Sequence, residues 1–203
     1  MTQVKICGIK TPDTLDAAVL AGARFIGFVF YPPSPRYVDK DIAKELAMSL
    51  PTGVRSVGLF VDPSDEELDN VLGYVSLDMI QLHGNETVRR VSEIKEKYAV
   101  PIIKAFPVTC AADIEKSKAY EDVVDWFLFD NKTGGSGMSF DWNLLKGKEF
   151  SKPWMLSGGL DADNVGEALK ILSPNAVDVS SGVESARGVK CPDKIRGFIK
   201  ACK

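Results

Sequence analysis

Short apolar segments rich in Val, Ile and Phe alternate with more polar segments along the whole chain. They recur every 21 to 29 residues, starting near Val4, Phe25, Val54, Met79, Pro101, Val124, Pro153 and Ala176. Runs of this length and composition, bounded by turn residues, predict buried β-strands. The sequence therefore predicts eight strands separated by connections that are long enough to hold helices.

The connections carry the signals that start and end helices. Thr11 followed by Pro12 predicts a helix start, and Gly22 predicts its end. Ser64 and Glu67 have the spacing of a capping box. Apolar residues at helical spacing mark two later helices, through Val88, Val91 and Ile94 and through Val165, Ala168, Leu169 and Leu172. The weakest helix pattern lies at residues 110–120.

Strands joined through helices pair in parallel, because each crossover must return to the same edge. The predicted fold is an α/β single-domain (β/α)8 TIM barrel that spans residues 1–203. This length is near the lower limit for that fold, so the loops must be short. An open doubly wound sheet has the same alternation of elements and stays an alternative.

Composition excludes several classes of partner. The chain has 25 Lys and Arg against 28 Asp and Glu, a net charge of −3, so we expect no nucleic-acid partner. The longest apolar run, residues 25–31, is too short to span a bilayer, and no secretory leader is apparent, so we expect no membrane partner. The four scattered cysteines fit neither a zinc site nor a disulfide framework. We expect a cytoplasmic protein with reduced thiols, and a monomer because no exposed apolar stripe is visible.

The alternation of side chains along strands places several polar groups inside the barrel. Lys5 and Cys7 share the inward face of the first strand, opposite Val4 and Ile6. Asp130 ends the sixth strand and Asp178 lies on the eighth; we expect both carboxylates to meet the thiol at the mouth of the barrel. The ordinary alternatives are a small buried thiol and aspartates that cap turns.

Two glycine-bearing turns follow the last two strands and predict a phosphate site. Bare backbone amides at these positions recur as the phosphate cradle of this fold, and glycine lets an anion approach the backbone closely. The predicted contacts are Gly158, Gly159, Ser180, Ser181 and Gly182. Two ordinary tight turns are the alternative. A third glycine cluster, residues 134–137, is interpreted as the hinge of a mobile lid.

The loop after the second strand holds Arg36 among three prolines, which stiffen it over the mouth. A fixed guanidinium at this place suits a carboxylate. His83 is the only histidine, so we expect no His-based metal cluster. Gln81 and His83 end the fourth strand and are expected to line the mouth.

Six motifs in register resemble the phosphoribosylanthranilate isomerase family from the first strand to the last. They are Lys5-Ile6-Cys7-Gly8-Ile9, the loop Ser34 to Val38, Gln81-Leu82-His83-Gly84, Asp130 ahead of the glycine cluster and Phe140-Asp141-Trp142, Leu156 to Leu160, and Val177 to Glu184. The resemblance implies a (β/α)8 barrel and a step of tryptophan biosynthesis. That step is the Amadori rearrangement of N-(5-phosphoribosyl)anthranilate to 1-(2-carboxyphenylamino)-1-deoxyribulose 5-phosphate, with no metal and no cofactor.

By the same resemblance, Cys7 matches the general base, Asp130 the general acid, and Arg36 the group that binds the anthranilate carboxylate. Asp178 is given a supporting role, in orienting the sugar hydroxyls or pairing with Lys5. Two positions depart from the family. Cys191 stands where an acidic helix cap is common and Arg187 where proline is frequent, and we expect both to affect stability rather than chemistry.

The chemistry demands unusual protonation. A neutral carboxyl paired with a thiolate is disfavoured against its tautomer by roughly 6 kcal/mol for groups of ordinary acidity. We expect Lys5 to lower the pKa of Cys7. Two other readings stay open: a barrel enzyme such as a sugar-phosphate epimerase or an indoleglycerol-phosphate-type synthase, for which Lys104 is available, and a non-catalytic phosphate-binding barrel.

Overall fold

A computed structural model describes residues 2–131 and 139–203 and contains a closed barrel of eight parallel strands in chain order. The strands are β1 Gln3–Cys7, β2 Phe25–Val29, β3 Arg55–Phe60, β4 Met79–Leu82, β5 Ile102–Val108, β6 Trp126–Asn131, β7 Trp154–Leu156 and β8 Ala176–Val179. Each begins within two residues of its predicted start. Pairing of β8 with β1 closes the cylinder, so the TIM barrel is confirmed and the open sheet is wrong.

Helices connect the strands on the outside of the barrel. They are α1 Pro12–Ala21, α2 Lys40–Met48, α3 Asp65–Leu72, α4 Val88–Tyr98, α5 Ala111–Glu115, α6 Val165–Ile171 and α7 Pro192–Ala201. Gly22 ends α1 in the left-handed conformation, with φ of 109°. The predicted capping box begins α3, because the Ser64 hydroxyl and the Glu67 carboxylate each accept from the other residue's backbone N–H.

Three connections are weaker than a full helix. The poorly patterned segment at 110–120 forms only α5 and a 3₁₀ turn, Lys116–Tyr120. In the described residues between β6 and β7, the helical structure is a 3₁₀ turn, Trp142–Leu144. Between β8 and α7 lies a small antiparallel hairpin that the sequence pattern did not predict, β9 Glu184–Ala186 and β10 Val189–Lys190.

The core has two layers, one on each side of the barrel wall. An outer layer lies between strands and helices and includes Val4 and Ile6. An inner layer fills the barrel and consists of Phe25, Val57, Met79, Ile103, Ala105, Leu128, Met155 and Ala176, with Trp126 packed against it. The predicted alternation on β1 is thus confirmed, and polar inward residues lie above an apolar plug. None of the helices in the described ranges is long and apolar enough to span a bilayer.

Candidate active site

A cavity of about 320 Å³ opens at the carboxyl ends of the strands. It brings together ten of the eleven residues that the sequence assigned to a site: Cys7, Arg36, Gln81, His83, Asp130, Gly158, Gly159, Asp178, Ser180 and Ser181. Gly182 does not border it. The inferred lid hinge at residues 134–137 lies outside the described residues.

Lys5 and Asp178 form an ion pair across the β1–β8 seam, with 2.8 Å between Nζ and Oδ1 and both side chains buried. The second oxygen of Asp178 accepts a hydrogen bond of 3.1 Å from the Ser157 hydroxyl. Gly27 on β2 leaves space for this arrangement, since a Cβ there would lie 2.9 Å from the Cys7 sulfur. The expected pairing of Asp178 with Lys5 is therefore present.

Burial raises the pKa of the Cys7 thiol above its usual value, and the charge of Lys5 only partly opposes this. Lys190 acts in the same direction as Lys5, while Asp178 adds to the rise. Lys5 lowers the pKa of Cys7, as expected, but burial raises it by more. In the free protein Cys7 is therefore a thiol rather than a thiolate at neutral pH.

Asp130 is held by a short chain of polar groups. The Nε2 atom of His83 lies 3.2 Å from Asp130 Oδ2, and the Gln81 amide nitrogen lies 2.8 Å from His83 Nδ1. The other oxygen of Asp130 accepts from the backbone N–H of Asn131 at 2.7 Å. His83 therefore lies at the mouth, as expected, and also orients the carboxyl group.

Arg36 is not a solvated surface arginine. Its Nε and Nη2 atoms donate to the two carboxylate oxygens of Glu184, at 2.7 and 3.0 Å. Glu184 also accepts from Lys190 Nζ at 2.8 Å and from the backbone N–H of Gly188. Burial opposes ionisation of Glu184, but these donors outweigh it and lower its pKa to about 2.

The two glycine turns come together at the border of the same cavity. Gly158 and Gly159 have φ of 86° and 64°, a region that favours glycine. A Cβ at Gly158 would lie 2.6 Å from the Asn131 nitrogen, and one at Gly182 would overlap the carbonyl oxygen of Leu160. Gly182 thus supports the contact between the two turns.

Sequence reasoning missed three charged residues that belong to this region. Glu184 and Lys190 lie on the unpredicted hairpin, whose two short strands carry no readable periodicity. Arg187 borders the cavity, and the expectation that it affects stability rather than chemistry stays a prediction. Glu184 and Lys190 are only six residues apart, but the other partner of Glu184, Arg36, is 148 residues away, so the sequence does not show that these charges meet at the cavity.

Comparisons with known proteins agree with the motifs. Residues 4–201 match the family model described as N-(5′-phosphoribosyl)anthranilate (PRA) isomerase. The N-(5′-phosphoribosyl)anthranilate isomerase of Rhodospirillum centenum is 52% identical over 208 residues, which cover 98% of this chain and 97% of that protein.

Solved structures give the same result. The phosphoribosyl anthranilate isomerase of Thermotoga maritima has a TM-score of 0.91 and 40% identity, covering 100% of this chain and 98% of that chain. A phosphoribosyl anthranilate isomerase in complex with reduced 1-(o-carboxyphenylamino)-1-deoxyribulose 5-phosphate has a TM-score of 0.86 and 37% identity, with the same coverage.

Proposed function

The chain belongs to the N-(5′-phosphoribosyl)anthranilate isomerase family, and we propose that Cys7 and Asp130 perform the proton transfers of this family's aldose–ketose isomerisation. The observation that carries the proposal is the cavity itself. A thiol, a carboxyl group, an arginine and two glycine turns border one space of about 320 Å³. These are the groups that a substrate with a carboxylate at one end and a phosphate at the other requires.

Asp130 acts first, as the general acid. Its proton passes to the furanose ring oxygen while the bond from that oxygen to C1 breaks. The lone pair of the anthranilate nitrogen forms the C1–N double bond, which leaves an iminium cation and an aspartate anion. His83 and Gln81 hold the carboxyl group in a fixed orientation for this step, because His83 contacts Asp130 directly and Gln81 contacts His83.

Cys7 acts second, as the general base. The thiolate takes the proton from C2, and the C–H electron pair forms the C1–C2 double bond and neutralises the iminium nitrogen. The resulting enolamine tautomerises to the ketone product. The iminium cation stabilises a nearby thiolate, which offsets the effect of burial on Cys7 while substrate is bound.

The remaining residues fix the two ends of the substrate. Arg36 binds the anthranilate carboxylate, and the backbone amides of Gly158, Gly159, Ser180 and Ser181, which border the cavity, bind the phosphate. Anchoring both ends of the substrate holds the reacting carbons between Cys7 and Asp130. The entropy cost of reaching the reactive geometry is then met by binding rather than in the chemical step. Asp178 supports the site through its pair with Lys5.

Fluorescence-monitored turnover of phosphoribosylanthranilate tests the assignment. Cys7→Ala and Asp130→Asn should each lower kcat by about 10²- to 10⁴-fold, the usual contribution of a positioned acid or base, with KM nearly unchanged. Losses confined to KM would contradict the proposed roles. Wild-type protein without turnover would contradict the family reaction.

The surroundings of Lys104 and of the Cys7–Asp130 pair distinguish the isomerase from the two rival functions. A synthase of the indoleglycerol-phosphate type needs a lysine at the chemistry, but Lys104 is bound by Glu86 at 2.9 Å and by the carbonyl oxygens of Gly84 and Ala105. A non-catalytic phosphate-binding barrel needs neither a buried thiol nor an oriented carboxyl group. The observed pair therefore favours the isomerase.

We further propose that the protein is a cytoplasmic monomer. All four cysteines are free thiols, which suits a reducing compartment. Among the described residues, the large apolar side chains that are more than half exposed, Leu20, Met48 and Val189, lie on three different elements, α1, α2 and β10. Light scattering after gel filtration should give the mass of one chain, and a mass of two chains would contradict the monomer.

A further inference from the structure

Two buried charged residues connect the carboxylate side of the cavity to its phosphate side. Glu184 binds Arg36 through two hydrogen bonds, and Lys190 binds the same carboxylate at 2.8 Å. Lys190 also donates to the carbonyl oxygen and the hydroxyl of Ser180, at 2.8 and 3.0 Å. The result is a continuous chain of charge-assisted hydrogen bonds from Arg36 to the turn after β8.

The middle of this chain of hydrogen bonds is buried, whereas Arg36 and Ser180 at its ends are partly exposed. The side chains of Glu184 and Lys190 are 4% and 2% exposed. Charges removed from water cost several kcal/mol unless they are paired in good geometry. Arg36 and Lys190 carry two positive charges, and Glu184 carries one negative charge. The cluster therefore keeps a net positive charge beside the cavity.

Glu184 determines which edge of Arg36 is available. It occupies the Nε–Nη2 edge, and no other hydrogen bond of this guanidinium exists within the described residues. The Nη1–Nη2 edge is therefore left for a second carboxylate, which an arginine binds through two parallel bonds. Orientation of the guanidinium before a ligand arrives lowers the entropy lost on binding.

The hairpin of β9 and β10 contacts both the loop that carries Arg36 and the turn that carries Ser180. Gly188, at the turn of the hairpin, has φ of 81°, and a Cβ there would lie 2.6 Å from the carbonyl oxygen of Pro35. The hairpin therefore packs directly against the proline-rich loop that carries Arg36. Through Lys190 the same hairpin holds Ser180, next to the predicted phosphate amides.

We propose that Glu184 and Lys190 are positioning residues that fix the carboxylate-binding arginine and the phosphate-binding turn as one unit. The inference rests on the proposed function and extends it. Substrate recognition then depends on two anionic groups at a set separation. Glu184 acts through Arg36, whereas Lys190 acts both on Glu184 and on the phosphate-binding turn at Ser180.

Because Glu184 is negatively charged, its replacement by glutamine should change anthranilate affinity in opposite directions under the two possible explanations. Glu184→Gln removes a negative charge near an anion site, so a purely electrostatic influence would tighten the binding of anthranilate. Loss of orientation at Arg36 would instead weaken it by about tenfold, as expected for one lost charge-assisted hydrogen bond. Competitive inhibition by anthranilate and by inorganic phosphate measures the two ends separately.

The positioning role predicts a distinct pattern for each variant. Glu184→Gln should raise the inhibition constant for anthranilate and leave that for phosphate within about twofold. Lys190→Met should raise both constants about fivefold or more, because it releases Ser180 and loosens Glu184. Lys194→Met is the matched control: Lys194 donates to the backbone carbonyl of Glu184, not to its carboxylate, and both constants should stay unchanged.

A double substitution separates positioning from general destabilisation. In an Arg36→Met background, Glu184→Gln should have no further effect on anthranilate inhibition, because the residue through which it acts is already absent. If Glu184→Gln does not fold, Lys190→Met decides the question, because both inhibition constants must rise together in that variant. Unchanged or tighter anthranilate binding in folded Glu184→Gln, or phosphate binding unchanged in Lys190→Met, would overturn the inference.

The proposed function and this inference fail differently. Absence of wild-type turnover would contradict the proposed function. Binding of anthranilate and of inorganic phosphate can then be measured by calorimetry, and the same pattern across the variants still tests the inference.

Discussion

Cys7 and Lys5 share the inward face of β1, where burial and the charge of Lys5 act in opposite directions on the acidity of the thiol. Burial raises the pKa of Cys7, and Lys5 opposes that rise. In the proposed mechanism, the reactive form of the pair carries one proton, on Asp130, while the sulfur is ionised. Once the pH exceeds the pKa of Cys7, the pair holds no proton and Asp130 has none to donate.

This argument predicts the basic side of the pH profile. Because the pKa of Cys7 lies above its ordinary value of 9.0, kcat/KM of the wild type should be level from about pH 7.5 to 9 and decline only at higher pH. Steady-state kinetics across this range measure it. A decline that begins near pH 8 would contradict the raised pKa.

Replacement of Lys5 tests the cause of the shift. Lys5→Met removes the opposing charge, so the pKa of Cys7 rises further, the reactive tautomer becomes rarer and kcat/KM falls at neutral pH. Asp178 would be left as an unpaired buried carboxylate, so Lys5→Met/Asp178→Asn is the control that keeps the charge balanced. If kcat/KM in the single variant equals that of the wild type, Lys5 does not act on the thiol.

Arg36 offers a contrast to the acid–base pair. Under the proposed function, Arg36→Met removes a substrate contact that is present before, during and after the reaction. It should raise KM by roughly 10- to 100-fold, the effect of losing charge-assisted hydrogen bonds, with kcat nearly constant. A fall in kcat alone would place Arg36 in the chemical step.

At the scale of elements, the two glycine turns after β7 and β8 act as one structure. Gly182→Ala would push its Cβ into the carbonyl of Leu160 and separate the turns. We expect KM to rise about tenfold with little change in kcat, as for a loss of uniform binding. Initial-rate kinetics with phosphoribosylanthranilate measure both constants.

Gly197 is the matched control for this substitution. It lies inside α7, and a Cβ there has open space. Gly197→Ala should stabilise the protein by about 0.5 to 1 kcal/mol, because alanine loses less backbone entropy in a helix, with unchanged KM. Equal effects of the two substitutions on KM would contradict the turn-specific explanation.

The elements differ in how well local sequence predicts them. β1 through β8 and the starts of α1 and α3 follow from apolar runs and capping residues, because those signals act over a few neighbouring positions. The hairpin β9–β10 has strands of three and two residues, too short for any period, and depends on Glu184 reaching Arg36 and Lys190. The position of Cys7 and Asp130 at one cavity followed from alternation, whereas the His83–Asp130 contact needed the closed barrel.

At the scale of the whole molecule, the barrel interior is divided into an apolar part and a charged part. The inner apolar cluster, which includes Phe25 and Met155, fills the apolar part of the interior. The buried pair Lys5–Asp178 lies between this cluster and the cavity. A second buried pair, Lys104–Glu86, joins β5 to the loop after β4. Both pairs are nearly inaccessible to water, yet only the first touches the cavity.

The second pair therefore contributes to stability rather than to chemistry. Glu86 also accepts from the backbone N–H groups of Asp62 and Gly84, so it ties the loops after β3 and β4 together. Lys104→Met would leave this carboxylate buried and without its cation. We expect a loss of about 3 to 5 kcal/mol in the free energy of unfolding, measured by urea denaturation.

The activity of Lys104→Met separates the isomerase from a lysine-dependent synthase within the same fold. At a temperature where the variant is folded, its kcat/KM for phosphoribosylanthranilate should match that of the wild type. Lys104→Met/Glu86→Gln should recover part of the lost stability, because glutamine removes the unpaired charge and keeps an acceptor for the two N–H groups. A folded Lys104→Met protein without turnover would instead assign the lysine to the reaction, and the division of the barrel into a supporting and a reacting charged pair would be wrong.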